Sequence, residues 1–147
     1  MPSVETSIKI HTPVEKVFDT MVDPESIPKF APIRRVSNIK GKPGEKGNSA
    51  DYEYRLLGIK LKQTMTVLEV HRPHSIVYEM SGGIPGKWVY TLQPHERGTI
   101  VWTRVDYSVP AGVIGRIANW LFINRMNQNN LEIGQAGLKR FCESLME

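Results

Sequence analysis

The sequence predicts an α+β domain in which a curved, seven-stranded antiparallel sheet wraps around a long C-terminal helix, with two short helices after the first strand. Three observations lead there. The hydrophobic period is 3.6 across residues 14–22 and becomes 2 between residues 33 and 107. The gaps between the alternating runs are short and rich in turn residues, which favours antiparallel hairpins in chain order. After Pro110-Ala111-Gly112 the pattern turns helical again and stays so to the end. An order of this kind packs one helix on one face of a sheet.

Val4, Thr6, Ile8 and Ile10 alternate with Glu5, Ser7 and Lys9, the mark of a half-buried strand. Thr12-Pro13-Val14-Glu15 then reads as a helix start, with Thr12 as the cap, Pro13 in the first position and Glu15 closing a capping box. Val14, Val17, Phe18, Met21 and Val22 form one apolar stripe. Asp23-Pro24 ends this helix and opens a second, short one across Glu25 to Phe30, which the proline at 32 stops. Six strands follow at 33–40, 48–57, 59–70, 75–81, 86–93 and 99–107. Turn signals separate them: Gly41-Lys42-Pro43-Gly44, Leu57-Gly58, Arg72-Pro73-His74, Ser81-Gly82-Gly83 and Glu96-Arg97-Gly98. One side of these strands is apolar and aromatic and the other mostly charged, so the sheet should be covered on one face only.

The tail would be about 50 Å long if a single helix ran from Val113 to Met146. It carries two apolar stripes, Ile114, Ile117, Ala118 and Leu121, then Leu131, Leu138, Phe141, Cys142 and Leu145. The polar block 124–130 lies between them, and Gly134 and Gly137 either weaken the helix or let it approach the sheet closely. The pattern predicts a break or bend near 124–130, a core helix after it, and a flap or lid over the cavity mouth from residues 111–123.

The 147 residues suit one core, so residues 1–147 are expected to form a single domain. With 40% hydrophobic and 23% charged residues the composition is that of a globular chain, not a disordered one. The stretch Ala111–Ile123 is too short to span a bilayer. A lone Cys142, and an N-terminal segment without a basic region followed by an apolar run, point to a cytoplasmic location. The net charge of +4 is mild; the basic run Arg34, Arg35, Lys40, Lys42 and Lys46 reads as a solvated face, and no nucleic-acid partner is expected. Exposed sheet edges leave monomer and homodimer both open.

Most catalytic patterns fail. There is no Gly-x-Ser-x-Gly elbow, and Cys142 shares a stripe with core residues. His71 and His74 flank Pro73 at a turn without a third ligand, so no metal is expected. Glycines 41, 44 and 47 precede a strand rather than a helix, and no cofactor motif is present. Two sets stay open. Arg104 and Asp106 share a strand side with Trp102; facing outward they are a solvated pair, and turned inward by a bulge they would serve acid–base chemistry on a carbonyl. Arg125, Gln128 and Asn129 either hold a ligand's polar head or form the exposed side of a bend.

The aromatic face is the strongest signal. Tyrosine hydroxyls need partners when buried, and a dry core would favour Leu, Ile and Phe. Tyr52, Tyr54, Tyr78, Met80, Trp88, Tyr90, Val105 and Tyr107 are therefore expected to line a wet or ligand-filled cavity, with Leu121, Arg125, Gln128 and Asn129 from the helix. The expected partner is an apolar small molecule with some polar atoms. Trp120 and Phe122 are candidates for contact with a membrane surface.

Particular marks then point to a family. Ile10, Pro13, Val17 and Phe18 make an opening "Ile-x-x-Pro-x-x-x-Val-Phe", followed by Asp23-Pro24. Lys87-Trp88-Val89-Tyr90-Thr91-Leu92 precedes Gly98-Thr99; Val105-Asp106-Tyr107-Ser108-Val109-Pro110 precedes a glycine-containing helix, and Leu138-Lys139 comes near the end. In this order the marks resemble the START-like or SRPBCC (helix-grip) superfamily, in its polyketide cyclase/dehydrase and coenzyme-Q-binding-like branch. The resemblance implies a deep pocket between helix and sheet for lipids, prenylated quinones or polyketides. It leaves open binder, cyclase or dehydratase, and interaction module.

Overall fold

A computed structural model describes residues 3–56, 59–108 and 120–146, without the side chains of 56, 59 and 120–123. The chain runs through β1 (Ser3–Ile10), α1 (Val14–Val22), a 3-10 turn (Ile27–Lys29), β2 (Arg35–Lys40), β3 (Ser49–Leu56), β4 (Ile59–His71), β5 (Ser75–Gly82), β6 (Gly86–His95), β7 (Gly98–Tyr107) and α2 (Trp120–Ser144). The seven strands form one antiparallel sheet in the order β1-β7-β6-β5-β4-β3-β2. Chain order is kept from β2 to β7 because each connection is short, and β1 closes the far edge beside β7. This is the helix-grip architecture.

Two irregularities interrupt the ladders. The β4–β5 register shifts between Val67 and Glu69. Before the shift the odd positions Leu61, Gln63 and Val67 are buried; after it the even Val70 packs on the core. One extra residue thus keeps a 13-residue strand apolar on its inner side while it bends. The second shift lies in β2, where Asn38 takes a positive φ of 51°. Asn tolerates that conformation, and its side-chain amide donates to Asp51 at 2.8 Å.

Two apolar clusters fill the concave side. One joins α1 to the middle strands and the end of α2 through Phe18, Met21, Ile76, Leu92, Leu138 and Cys142. The other joins Val4, Leu61, Met80, Val105, Tyr107 and Leu131. Met65 and Trp88 pack against both. The helix is fixed along β1 by polar contacts: Gln128 donates to the Glu5 carbonyl at 3.1 Å, Lys139 to the Lys9 carbonyl at 3.0 Å, and the His11 amide to Glu143 at 2.9 Å.

Several local expectations need correction. Thr12 does not cap α1; Pro13 takes the cap position, no side chain closes a capping box, and the Thr12 hydroxyl is buried without a partner while its carbonyl accepts from Thr99 at 2.8 Å. The second helix shrinks to a 3-10 turn, held by Asp23 accepting from the Glu25 amide at 3.2 Å and the Ser26 hydroxyl at 3.0 Å. No break occurs at 124–130, because α2 is one helix through that block. Asn and Gln lower helix propensity only slightly, and a polar residue facing a cavity does not oblige the helix to end. Gly137 permits a close approach, but to the segment after α1 rather than to the sheet: a Cβ there would lie 2.0 Å from the Phe30 carbonyl oxygen. The Leu57-Gly58 and Pro110-Ala111-Gly112 turns, the stripe from Ile114 to Leu121 and the flap expected over 111–123 fall outside what is described. Among the described residues, no helix is long and apolar enough to cross a membrane.

The close approach gives a signed prediction. In an open helix, glycine to alanine gains up to about 1 kcal/mol. Gly137→Ala should instead lose about 1–3 kcal/mol in denaturant unfolding, since backbone must move. Gly134→Ala, whose Cβ would meet only ordinary contacts near 3.8 Å, should be neutral or stabilising.

Candidate functional site

Between the two apolar clusters lies a cavity of about 180 Å³. Its floor is the inner face of β3 to β7, one wall is α2, and one end is the segment 27–33. Strand alternation points Tyr52 and Tyr54 from β3, Tyr78 and Met80 from β5, Trp88 and Tyr90 from β6, and Val105 and Tyr107 from β7 to this side; all eight predicted strand residues line the cavity. Trp88 and Tyr90 retain accessible surface although they are covered on the sheet side, because that surface faces the cavity.

The helical contribution differs from the expected one. Arg125 and Asn129 are exposed, Gln128 is engaged with Glu5 and with Glu132 at 3.2 Å, and none of the three lines the cavity. They occupy the side of α2 turned away from it, a consequence of the helix being unbroken. Leu121, Trp120 and Phe122 have side chains outside the described set. The lining residues of α2 are Asn127, Asn130, Leu131, Gly134, Gln135 and Leu138, a stripe at i, i+3, i+4, i+7, i+8 and i+11. Sequence reasoning missed the polar members because a stripe was sought in apolar residues. It missed Gln63 and Met65 as well, although they continue the alternation of Leu61, and Ile27, Phe30 and Ile33, which no periodicity marks.

The polar groups of the lining are neutral. Tyr54 donates to Gln63 at 2.9 Å, Gln135 donates to the buried Thr103 hydroxyl at 2.6 Å, and Tyr107 donates to Asn124. Among the described lining residues there is no carboxylate, imidazole, ammonium or guanidinium. Burial, the largest cause in each case, pushes all five tyrosine hydroxyls above their ordinary value. Tyr90 is raised to about 12, tempered by the nearby Trp88 indole, whose own N–H lacks a hydrogen bond of proper geometry. Tyr52 is raised further by the proximity of Tyr90 and Asp23.

The remaining candidates lie elsewhere. Arg104 and Asp106 pair at 3.3 Å on the outer face with Trp102, which is 45% exposed, so the inward reading is overturned: β7 carries no bulge there. His71 and His74 are exposed, His71 lying 3.4 Å from Glu69, and no group of described residues is arranged to hold a metal ion. Cys142 is fully buried and burial pushes its thiol up to about 11, as befits a core residue rather than a nucleophile. The basic run 34–46 is exposed at each of its five cations.

Residues 1–143 match the family model described as polyketide cyclase / dehydrase and lipid transport, and the chain belongs to that family, within the SRPBCC superfamily. No functionally curated protein matches it in sequence. Among solved structures it is similar to TTHA0849 from Thermus thermophilus, at 16% identity with a TM-score of 0.85, covering 99% of this chain and 100% of that one. It is also similar to Ara h 8.0201, at 16% identity and a TM-score of 0.68 over 97% of this chain and 98% of that one. DynU16, a protein of the dynemicin biosynthetic locus, matches at 15% identity and a TM-score of 0.68 over 96% of this chain but 47% of its own length. At these identities the likeness shows the fold.

The tyrosines yield a pH prediction. Their folded pKa values lie above the unfolded value near 10, so their contribution to stability is intact below about pH 10 and is lost as the pH rises beyond it. Tyrosinate absorbance should therefore stay low at about pH 10, where free tyrosine is half ionised, and then rise steeply together with loss of near-ultraviolet circular dichroism. A smooth tyrosinate rise centred at about pH 10 in the folded protein would contradict the buried assignment.

Proposed function

We propose that this member of the polyketide cyclase / dehydrase and lipid transport family is a non-catalytic binder or carrier, with residues 1–147 as one ligand-binding domain. The ligand is an apolar small molecule, of lipid, quinone or polyketide type, seated between the sheet and α2. The observation that carries this reading is the character of the cavity: apolar and aromatic walls, neutral amides and hydroxyls, and no described side chain that would ionise in the physiological range. General acid–base catalysis near neutral pH needs a group whose pKa lies near the working pH. Tyrosines held above 10 bind and orient but do not exchange protons readily at neutral pH. The cyclase-like alternative called on Tyr, Arg or Asp groups in the same cavity; with Arg104 and Asp106 paired on the outer face, it is left with the tyrosines alone.

Mass spectrometry of an organic extract of the purified protein should reveal a co-purifying apolar compound. That compound should rebind to the stripped protein in one-to-one ratio. Gly134→Leu offers the matching control, because Gly134 lines the cavity from α2 and a Cβ there meets only Pro32 and Ala31 at van der Waals distance. The longer side chain enters the cavity, so binding should weaken by about tenfold or more while the thermal midpoint stays or rises. An empty extract together with no affinity for any apolar probe would overturn the proposal. Turnover of a polyketide-like substrate by the protein would overturn its non-catalytic part.

A further inference from the structure

Polar groups are distributed unevenly along the cavity. Tyr54 and Tyr107 donate to partners within the protein. The hydroxyls of Tyr52 and Tyr78 make no hydrogen bond among the described residues, and that of Tyr90 has only the Trp88 indole beside it, without a hydrogen bond of proper geometry; all three rings line the cavity. They form one group. Tyr78 and Tyr90 meet edge to face with ring centroids 6.4 Å apart, and Tyr52 lies near enough to both that ionising one of the three hydroxyls would disfavour ionising another. Beside them the Trp88 ring stands 5.8 Å from that of Tyr90, its buried indole N–H without a partner.

We infer that the Tyr52, Tyr78 and Tyr90 hydroxyls are the polar end of the ligand site and recognise a neutral, hydrogen-bond-accepting oxygen, such as a ring ketone, on an otherwise apolar molecule. The inference rests on the cavity being a ligand site, as proposed above, and adds the orientation and chemical class of what fills it. Buried hydroxyls require partners, and groups that open on a cavity take them from whatever occupies it. Each hydroxyl can donate or accept, but the Trp88 N–H beside them only donates, so an acceptor oxygen on the ligand is what the whole group can serve. A charged head does not fit. No described cation lines the cavity to meet a carboxylate or phosphate, and the outside charge that acts on Tyr52, Asp23, is negative. Fatty acids and phospholipids are thereby disfavoured relative to neutral oxygenated ring compounds.

Three probes of one ring skeleton test this: fluorene, fluorenone and fluorene-9-carboxylate, titrated against the wild type and against the combined variant Tyr52→Phe, Tyr78→Phe, Tyr90→Phe. In the wild type fluorenone should bind about three- to tenfold more tightly than fluorene, with the carboxylate weakest. In the variant the ketone preference should fall below about twofold while fluorene affinity is retained. The carbonyl stretch of fluorenone bound to the wild type supplies a readout independent of the variant's folding. It should lie below its position in hexane, and an unshifted band overturns the assignment. If fluorene and fluorenone bind equally to wild type and variant, the polar-end assignment falls and the apolar site stands. If none of the three binds the wild type, both fall together. Tightest binding by the carboxylate overturns the neutral-ligand assignment alone.

Discussion

The concave face of a seven-stranded sheet is wider than one helix can cover. Seven strands span about 29 Å across at ~4.8 Å spacing. A helix with its side chains is about 10–12 Å wide. The apolar side chains of the sheet must nevertheless leave water, and this chain meets the mismatch at two places. At one, α1 and the 3-10 turn bring Phe18, Met21 and Phe30 against the end of α2. At the other, Val4, Leu61, Met80 and Leu131 close together. The space between is left open, and the approach of Gly137 to the Phe30 carbonyl sets how near α2 comes to the segment that bounds it.

What the open space contains follows from burial. Interiors normally pack to the density of organic crystals, and an unfilled region gives up dispersion contacts along its walls. Five tyrosines, two glutamines and two asparagines line the cavity, each bringing polar atoms that a wholly dry interior would leave unmatched. Their satisfaction is graded: Gln135 donates to Thr103 and Tyr54 to Gln63, whereas Tyr52 and Tyr78 have no described partner and Tyr90 has only the Trp88 indole nearby. Polarity of this kind, neutral and partly unpaired, suits recognition of an oriented ligand better than it suits a structural core. It fits a family whose model is described by both cyclisation and lipid transport, and it narrows what this chain would take.

Much of the fold was legible in the sequence because a sheet covered on one face writes its orientation into alternate residues. All six central strands fall within a few residues of their expected limits, and the eight strand residues expected in the cavity reach it. The helical wall was not legible in the same way. Hydrophobic periodicity finds faces that meet core, and the cavity face of α2 mixes Asn127, Asn130, Gly134 and Gln135 with two leucines. Its polar start reads as a break, and periodicity alone leaves Arg125, Gln128 and Asn129 open between a ligand's polar head and an exposed face; the unbroken helix turns them outward. The segment 27–33 carries no period at all; its role arises from tertiary placement by the Asp23 turn. Arg104 and Asp106 could be placed only by seeing that β7 runs without a bulge.

The most direct test is a two-dimensional amide and indole NMR spectrum recorded while the protein is titrated with naphthalene, a small apolar ring. Trp88 lines the cavity and Trp102 stands on the outer face, so their indole signals report the two sides of the same sheet. The Trp88 indole and the amides of Tyr78, Tyr90 and Leu131 should shift and saturate, while the Trp102 indole stays in place. Shifts confined to Trp102 and the basic strand, with the Trp88 signal unmoved, would contradict a ligand site between sheet and helix.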